Sequence, residues 1–117
     1  MAAAKITLPT IEKGATFRHT FYWRDVNNNP INITGCTAIM QMRETIDSSV
    51  VLMELSTENQ KIIIDGHDGI INLYISAEDT RELSGLGAIY DLEIHYPDLE
   101  VVRFCEGRVK FSGNVTR

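Results

Sequence analysis

Along most of this chain apolar and polar residues alternate with a period of two, the pattern of strands that bury one face and expose the other. In "ATFRHTFYW" the residues Ala15, Phe17, His19, Phe21 and Trp23 share one face, and Thr16, Arg18, Thr20, Tyr22 and Arg24 share the other. "CTAIMQMRE" repeats the pattern, with Cys36, Ala38, Met40 and Met42 inward against Thr37, Gln41 and Arg43. "VLMELST" sets Val51, Met53 and Leu55 against Leu52, Glu54 and Ser56.

Two further strands, "KIIID" and "IINLYIS", flank "DGHDG". Asp-Gly between apolar runs predicts a hairpin because Gly readily takes a positive φ. Ile71, Leu73 and Ile75 form the inward face of the second of these strands. One helix is predicted at about 76–84, "SAEDTREL", with Ser76 as N-cap, Glu78 and Asp79 in the first turn, and Gly85 and Gly87 as its stop. "GAIYDLEIHY" resumes alternation, turning Ala88, Tyr90, Leu92 and Ile94 inward, and "PDLE" makes the next turn. In "VVRFCEGRVKF" the phase slips: Val102 and Phe104 fit one register, Val109 and Phe111 the other. A bulge at Glu106-Gly107 accounts for the slip.

Seven or eight short strands with regular turns and one small helix predict an all-β fold. The expected form is an antiparallel β-sandwich, an immunoglobulin-like Greek key with a short crossover helix. The 117 residues contain no repeat or linker, so 1–117 reads as a single domain with residues 1–5 loose at its start. Trp23 precedes both cysteines, so the Cys-Trp-Cys order of antibody domains is absent.

The stretch "WRDVNNNPINITG" combines a Trp, an acid, three Asn, a Pro and a glycosylation sequon. Asp25 and the Asn run favour side chain-to-backbone turns, Pro30 fixes φ, and Asn29 before it is steered to extended geometry. Ile31 and Ile33 alternate as a brief strand. The segment reads as a strand-turn-strand connection. Asn32-Ile33-Thr34 and Asn114-Val115-Thr116 are formal sequons, but "MAAAKITLPT" has no signal-peptide core, so neither is expected to be modified.

Composition sharpens the picture by exclusion. With 44% hydrophobic residues the chain can build a core, and a net charge of −5 with scattered basic residues argues against nucleic acid as a partner. No run is long enough to insert in a membrane. Two cysteines, Cys36 and Cys105, are too few for a disulfide framework and read as reduced core thiols.

Candidate chemistry is thin. His19 lies on an apolar strand face, His67 at a turn tip and His95 at a strand end, and no two have metal-ligand spacing. "DGHDG" offers Asp65 and Asp68 but lacks the further oxygens and closing Glu of a calcium loop. Asp91 and Glu93 fall on the solvent side of one strand. Without a nucleophile elbow, phosphate loop or cofactor motif, no enzyme and no cofactor is expected. Tyr22, Tyr74 and Tyr96, outward or at strand ends, are the candidate partner contacts, since interfaces favour Tyr.

Beyond these local readings, the order of features resembles a known family. "TFRHTFYWRDVNNNPINITGCTAIMQMRE" is an alternating strand ending in aromatic-x-Asp, a polar-Pro-Ile turn, Ile-Thr-Gly and a strand closing in Met-Arg. "VLMELST", "IIIDGHDGIINLYISAEDTREL", "GAIYDLEIHYPD" and "VVRFCEGRVKFSGNVTR" follow, with Ser76 to Thr80 and Tyr90 to Glu93 the most characteristic pieces. This order is similar to the small β-sandwich proteins of tailed-bacteriophage tail modules, akin to the N-terminal domain of baseplate upper proteins. The resemblance implies a non-enzymatic virion part, assembled in the bacterial host cytoplasm. It would dock to other tail or baseplate proteins, in a homo-oligomer, ring or trimer. Full-length proteins of that kind continue into a fibre-like region, whereas this sequence stops at Arg117. The competing reading is a carbohydrate-binding module for host attachment, with Trp23 and the tyrosines as its only platforms.

Overall fold

A computed structural model describes residues 3–113. Its strands are β1 (Ala4–Lys5), β2 (Ile11–Glu12), β3 (Phe17–Tyr22), β4 (Thr37–Arg43), β5 (Met53–Ser56), β6 (Ile62–Asp65), β7 (Ile70–Ile75), β8 (Gly87–His95) and β9 (Val101–Ser112). One helix, α1 (Ala77–Arg81), joins β7 to β8. The strands form two sheets, one in the order β1-β9-β8-β4-β5 with β2 also on β9, the other β3-β7-β6. The all-β sandwich with one short crossover helix is therefore the fold.

The chain crosses between the sheets repeatedly, while the hairpins β4-β5, β6-β7 and β8-β9 each stay within one. Each sheet turns one face inward. From the larger come Ala38, Met40, Met42, Leu55, Ala88, Tyr90, Leu92, Ile94, Cys105, Val109 and Phe111; from the smaller come Phe17, Phe21, Ile62, Ile71, Leu73 and Ile75. Full burial of each large aliphatic side chain contributes about 1.5–3 kcal/mol. Residues of both inward faces belong to one buried hydrophobic cluster.

Several expectations are corrected at strand ends, where alternation continues in sequence but pairing stops. Ala15 is exposed and precedes β3, and Trp23 lies half-buried just beyond it. Cys36 is half-buried before β4, and Val51 is exposed ahead of β5, leaving Leu55 as the buried anchor of that strand with Met53 half-buried. Ile31 and Ile33 form no strand; an isolated bridge joins Arg24 to Pro30, and Ile33 is buried. The strands are not all antiparallel, because β1 and β2 run parallel to β9. Ala4 and Lys5, read as part of a loose end, thus pair with Cys105 and Glu106.

The phase slip in β9 is real but sits two residues earlier than expected. Leu92 faces Cys105 and Glu93 faces Arg103, so Phe104 is the extra residue. After this bulge Cys105, Val109 and Phe111 point inward. Gly107 instead admits the N-terminal segment, Ile6 lying where its side chain would stand.

The helix is shorter than expected. Ser76 caps it with its Oγ accepting from the Asp79 N–H at 3.1 Å, Glu78 and Asp79 occupy the first turn, and the chain leaves it at Glu82. Gly85, at φ +84°, lies in the following turn, while Gly87 is the first residue of β8 and not part of the stop. Asp79 meets Lys61 at 3.0 Å, which ties α1 to the start of β6.

Thr80, fully buried, joins the helix to the connection before β3. Its Oγ1 accepts from the Gly14 N–H at 3.0 Å and can donate to the Ala15 carbonyl at 2.9 Å or the Ala77 carbonyl at 3.0 Å. Thr80→Val keeps the shape and deletes these part-buried bonds, at a cost of about 1 kcal/mol. Urea unfolding should show the lowered midpoint at unchanged slope, and Thr80→Ser should restore most of it.

Candidate functional site

The segment from Trp23 to Gly35 is a loop held by its own backbone. Asp25 is its centre: Oδ1 accepts from the N–H groups of Asn27 and Asn29, each at 2.9 Å, and its carbonyl accepts from Asn28 at 2.9 Å. Asn28 takes φ +64°, a conformation Asn tolerates better than most residues. The loop then lies down on the β6-β7 turn. Trp23 N–H donates to the Gly69 carbonyl and Ile33 N–H to the Gly66 carbonyl, both at 2.8 Å. The "DGHDG" turn is thus a docking point for the loop, with the Gly66 and Gly69 carbonyls already taken. His67 and Asp68 point outward from it, paired with each other at 3.3 Å.

Trp23 sits at the lip of the sandwich. Its ring packs edge-on to Phe104 at 5.1 Å, and Phe104 packs edge-on to Phe21 at 5.7 Å. Phe104 was not legible as a partner because the position of the bulge, which the phase slip alone does not give, decides where it points. Trp23 therefore braces a corner of the sandwich against Phe104.

The three tyrosines do not form one surface. Tyr22 and Tyr74 share the outer face of the smaller sheet, both exposed, with Tyr22 at 59%. Rows across that face read Arg18–Tyr74, then Thr20–Asn72–Ile63, then Tyr22–Ile70–Asp65. Arg18 lies over the Tyr74 ring at 4.8 Å and Arg24 over Tyr22 at 5.8 Å. Thr20 donates to Asn72 Oδ1 at 2.8 Å. Ile63 is also 59% exposed, so tyrosine rings, an isoleucine and two guanidinium groups make up one open patch. The two arginines were not named among the candidate contacts; their place in the outward phase of "ATFRHTFYWR", Arg18 on β3 and Arg24 just beyond it, was the available signal.

Tyr96 belongs elsewhere, to the β8-β9 turn of the larger sheet, where it is half-buried beside Cys36. Burial holds its hydroxyl above the ordinary tyrosine range, helped by Cys36 and the acids of the turn. Cys36 and Cys105 are both free. Cys105 is the core thiol expected; burial pushes its pKa up to about 11, against the Tyr90 hydroxyl 3.8 Å away. Cys36 is only half-buried, its thiol likewise raised, first by burial and then by Asp98.

A concave region, about 580 Å3, lies on the outer face of the larger sheet. Lys5, Arg43, Arg103 and Arg108 face Asp91 and Glu106 there. Most of these charges are committed to neighbours. Arg43 donates to the Ser48 carbonyl at 2.6 Å and to Gln41 at 2.9 Å, Arg103 lies 3.7 Å from both Asp91 and Glu106, and Lys5 lies 3.6 Å from Glu106. Burial raises the Asp91 carboxyl above the usual range, with Arg103 pulling the other way. Asp91 and Glu93 therefore stand on the outer, charge-paired face that the alternation predicts.

Among the described residues no group of three His, Cys, Asp or Glu is placed to hold a metal ion. The Asn32 sequon lies on the loop, its Oδ1 already accepting from Thr34 N–H and hydroxyl, whereas the Asn114 sequon lies outside the described residues. No helix among the described residues is long and apolar enough to cross a membrane.

His19 faces the interior of β3, its ring edge-on to Phe21 at 4.7 Å, and partial burial lowers its pKa from 6.5. The sign follows. As pH falls below 6.5 the unfolded chain takes up the proton first, so stability is full above that value and declines on acidification. Unfolding midpoints should drop between pH 7.5 and about 5.5, and His19→Phe should flatten that part of the profile. No family model and no curated protein sequence matches the chain.

Proposed function

We propose that this chain is a non-enzymatic structural protein of a bacteriophage or prophage tail or baseplate, a rigid β-sandwich that works through protein-protein contacts in virion assembly. The observation that carries the reading is the open face of the smaller sheet. Exposed Tyr22, Tyr74 and Ile63, flanked by Arg18 and Arg24, make the aromatic-and-arginine composition that protein interfaces favour. The order of strands and turns resembling baseplate upper proteins supports the setting: a virion tail, assembled in the host cytoplasm. Trp23, half-buried and packed on Phe104 at the core, suits a structural corner better than the exposed platform a sugar would need.

The test is a pull-down of the full chain against the tail and baseplate proteins encoded beside it, with light scattering on the eluted species. A defined complex, weakened by Tyr22→Ser with Tyr74→Ser, is expected. Binding of host-surface glycans by a monomer that captures no tail protein would overturn the reading in favour of a carbohydrate-binding module.

A further inference from the structure

The two sheets present four edges, and three are closed by identifiable devices. Along β9 the N-terminal segment supplies a parallel partner, with Ile6 N–H donating to Glu106, Leu8 to Arg108 and Lys13 to Ser112 at 2.9–3.1 Å. At β5 the side chain of Asn59 takes the outward groups, Nδ2 donating to the Glu54 carbonyl and Oδ1 accepting from Ser56 N–H, each at 3.0 Å. The β6 edge is four residues long, with only Ile62 and Ile64 facing out. Short strands and capped groups are how natural sheets prevent edge pairing.

Among the described residues the remaining edge, β3, has none of these devices. It runs six residues without Pro or bulge, and Arg18 is its only formally charged residue. The Tyr74 N–H donates to Lys61 on the β6 side, so the even-numbered residues of β7 bond away from β3 and the odd-numbered ones bond towards it. Their partners on β3 are Phe17, His19 and Phe21. Arg18, Thr20 and Tyr22 consequently turn their N–H and C=O groups to the open edge.

We infer that a second copy of this chain fills that edge, β3 against β3, antiparallel about a two-fold axis at Thr20. This inference rests on the reading of the sandwich as an interaction module and names its partner. The register is self-complementary. Thr20 meets its own counterpart, and Arg18 meets Tyr22 of the second copy, once on each side of the axis. All three outward-facing residues then fall in hydrogen-bonded pairs, each exchanging both bonds. Arg18 already lies over Tyr74 at 4.8 Å, and the added strand sets a second tyrosine ring beside its guanidinium. The arrangement is isologous and closed, so it ends at a dimer and cannot run on into a filament. A single strand edge is a small contact, which makes the dimer concentration-dependent and not permanent.

Sedimentation velocity on the full chain across a wide concentration range tests this, alongside amide hydrogen exchange in dilute and concentrated samples. The expected result is a monomer-dimer equilibrium in which the Arg18, Thr20 and Tyr22 amides slow with concentration while those of His19 and Phe21 do not change. Thr20→Lys places like charges across the axis and should weaken association about tenfold or more. Tyr22→Ser, which leaves the backbone edge intact, should weaken it less. A monomer at every concentration, or a dimer that Thr20→Lys leaves unchanged, would overturn the inference. A monomer that still captures tail proteins removes the dimer and keeps the assembly reading; a dimer that captures none does the reverse.

Discussion

Replacing Gly107 with Val is expected to release the N-terminal segment and lower stability by about 3–5 kcal/mol. Gly107 shares the inward phase of Cys105 and Val109 on β9, yet the space where its side chain would stand is occupied by Ile6. A Cβ there would overlap the Ile6 carbonyl oxygen outright. That carbonyl accepts from the Tyr90 hydroxyl at 2.7 Å, and the Ile6 and Leu8 N–H groups donate to β9 on either side. Displacement therefore breaks several hydrogen bonds, strands a buried Tyr90 hydroxyl and exposes Leu8, now 3% accessible. Each lost bond costs about 1 kcal/mol and the exposed Leu8 about 2. Urea denaturation gives the total, and faster exchange of the Ile6 and Leu8 amides would locate it. A loss under about 1 kcal/mol would show that the segment contributes little to the folded state.

Gly69→Val should come next, at about 3 kcal/mol, and by a different route. Gly69 sits at φ +62°, where a β-branched residue is strained, and a Cβ would stand 2.7 Å from the carbonyl oxygens of both Trp23 and Ile31. Neither oxygen can yield alone, because the Trp23 carbonyl holds the Ile31 N–H at 2.9 Å. The loop from Trp23 to Thr34 would have to lift from the turn, withdrawing Ile33 from the core. Intrinsic tryptophan fluorescence offers a local readout, since Trp23 would lose its contact with Phe104. Gly85→Ala makes the useful contrast. Gly85 also has positive φ, but nothing lies within 4 Å of the added carbon, so only the backbone strain of about 1 kcal/mol is expected.

The two glycines show why part of the architecture was hidden. Period-two alternation in "TAIMQMR", "IINLYI" and "GAIYDLEIH" identifies strands because each side chain's direction depends on its own position in the pleat. The buried set of β4, β7 and β8 follows it residue by residue. Ser76 and the acids after it mark the helix start for the same local reason. Nothing local says that Ile6 will fill the place of a side chain at Gly107, or that the Asn-rich loop will settle on the "DGHDG" turn. These are meetings of distant segments through main-chain atoms, and main-chain atoms carry no residue code.

The candidate interaction face divides in the same way. That Tyr22 and Tyr74 point outward was legible from alternation. That they share a face, while Tyr96 does not, depends on β3 pairing with β7 and on β8 lying in the other sheet. The displaced bulge is similar. A slip in phase announces that one residue is extra, but whether Phe104 or Glu106 is extra depends on the register against β8.

By itself, the sequence determined the all-β class, most strand faces, the helix start and the turn at Asp25, since each depends on neighbours within a few positions. Only the tertiary structure decided the strand order, the parallel closure of the β9 edge by residues 4–13, and the partners of Trp23 and Gly107. Among the described residues it also left β3 as the one long edge without a cap. An edge is defined by which strands fail to pair, and pairing is a property of the assembled sheet that no single strand encodes.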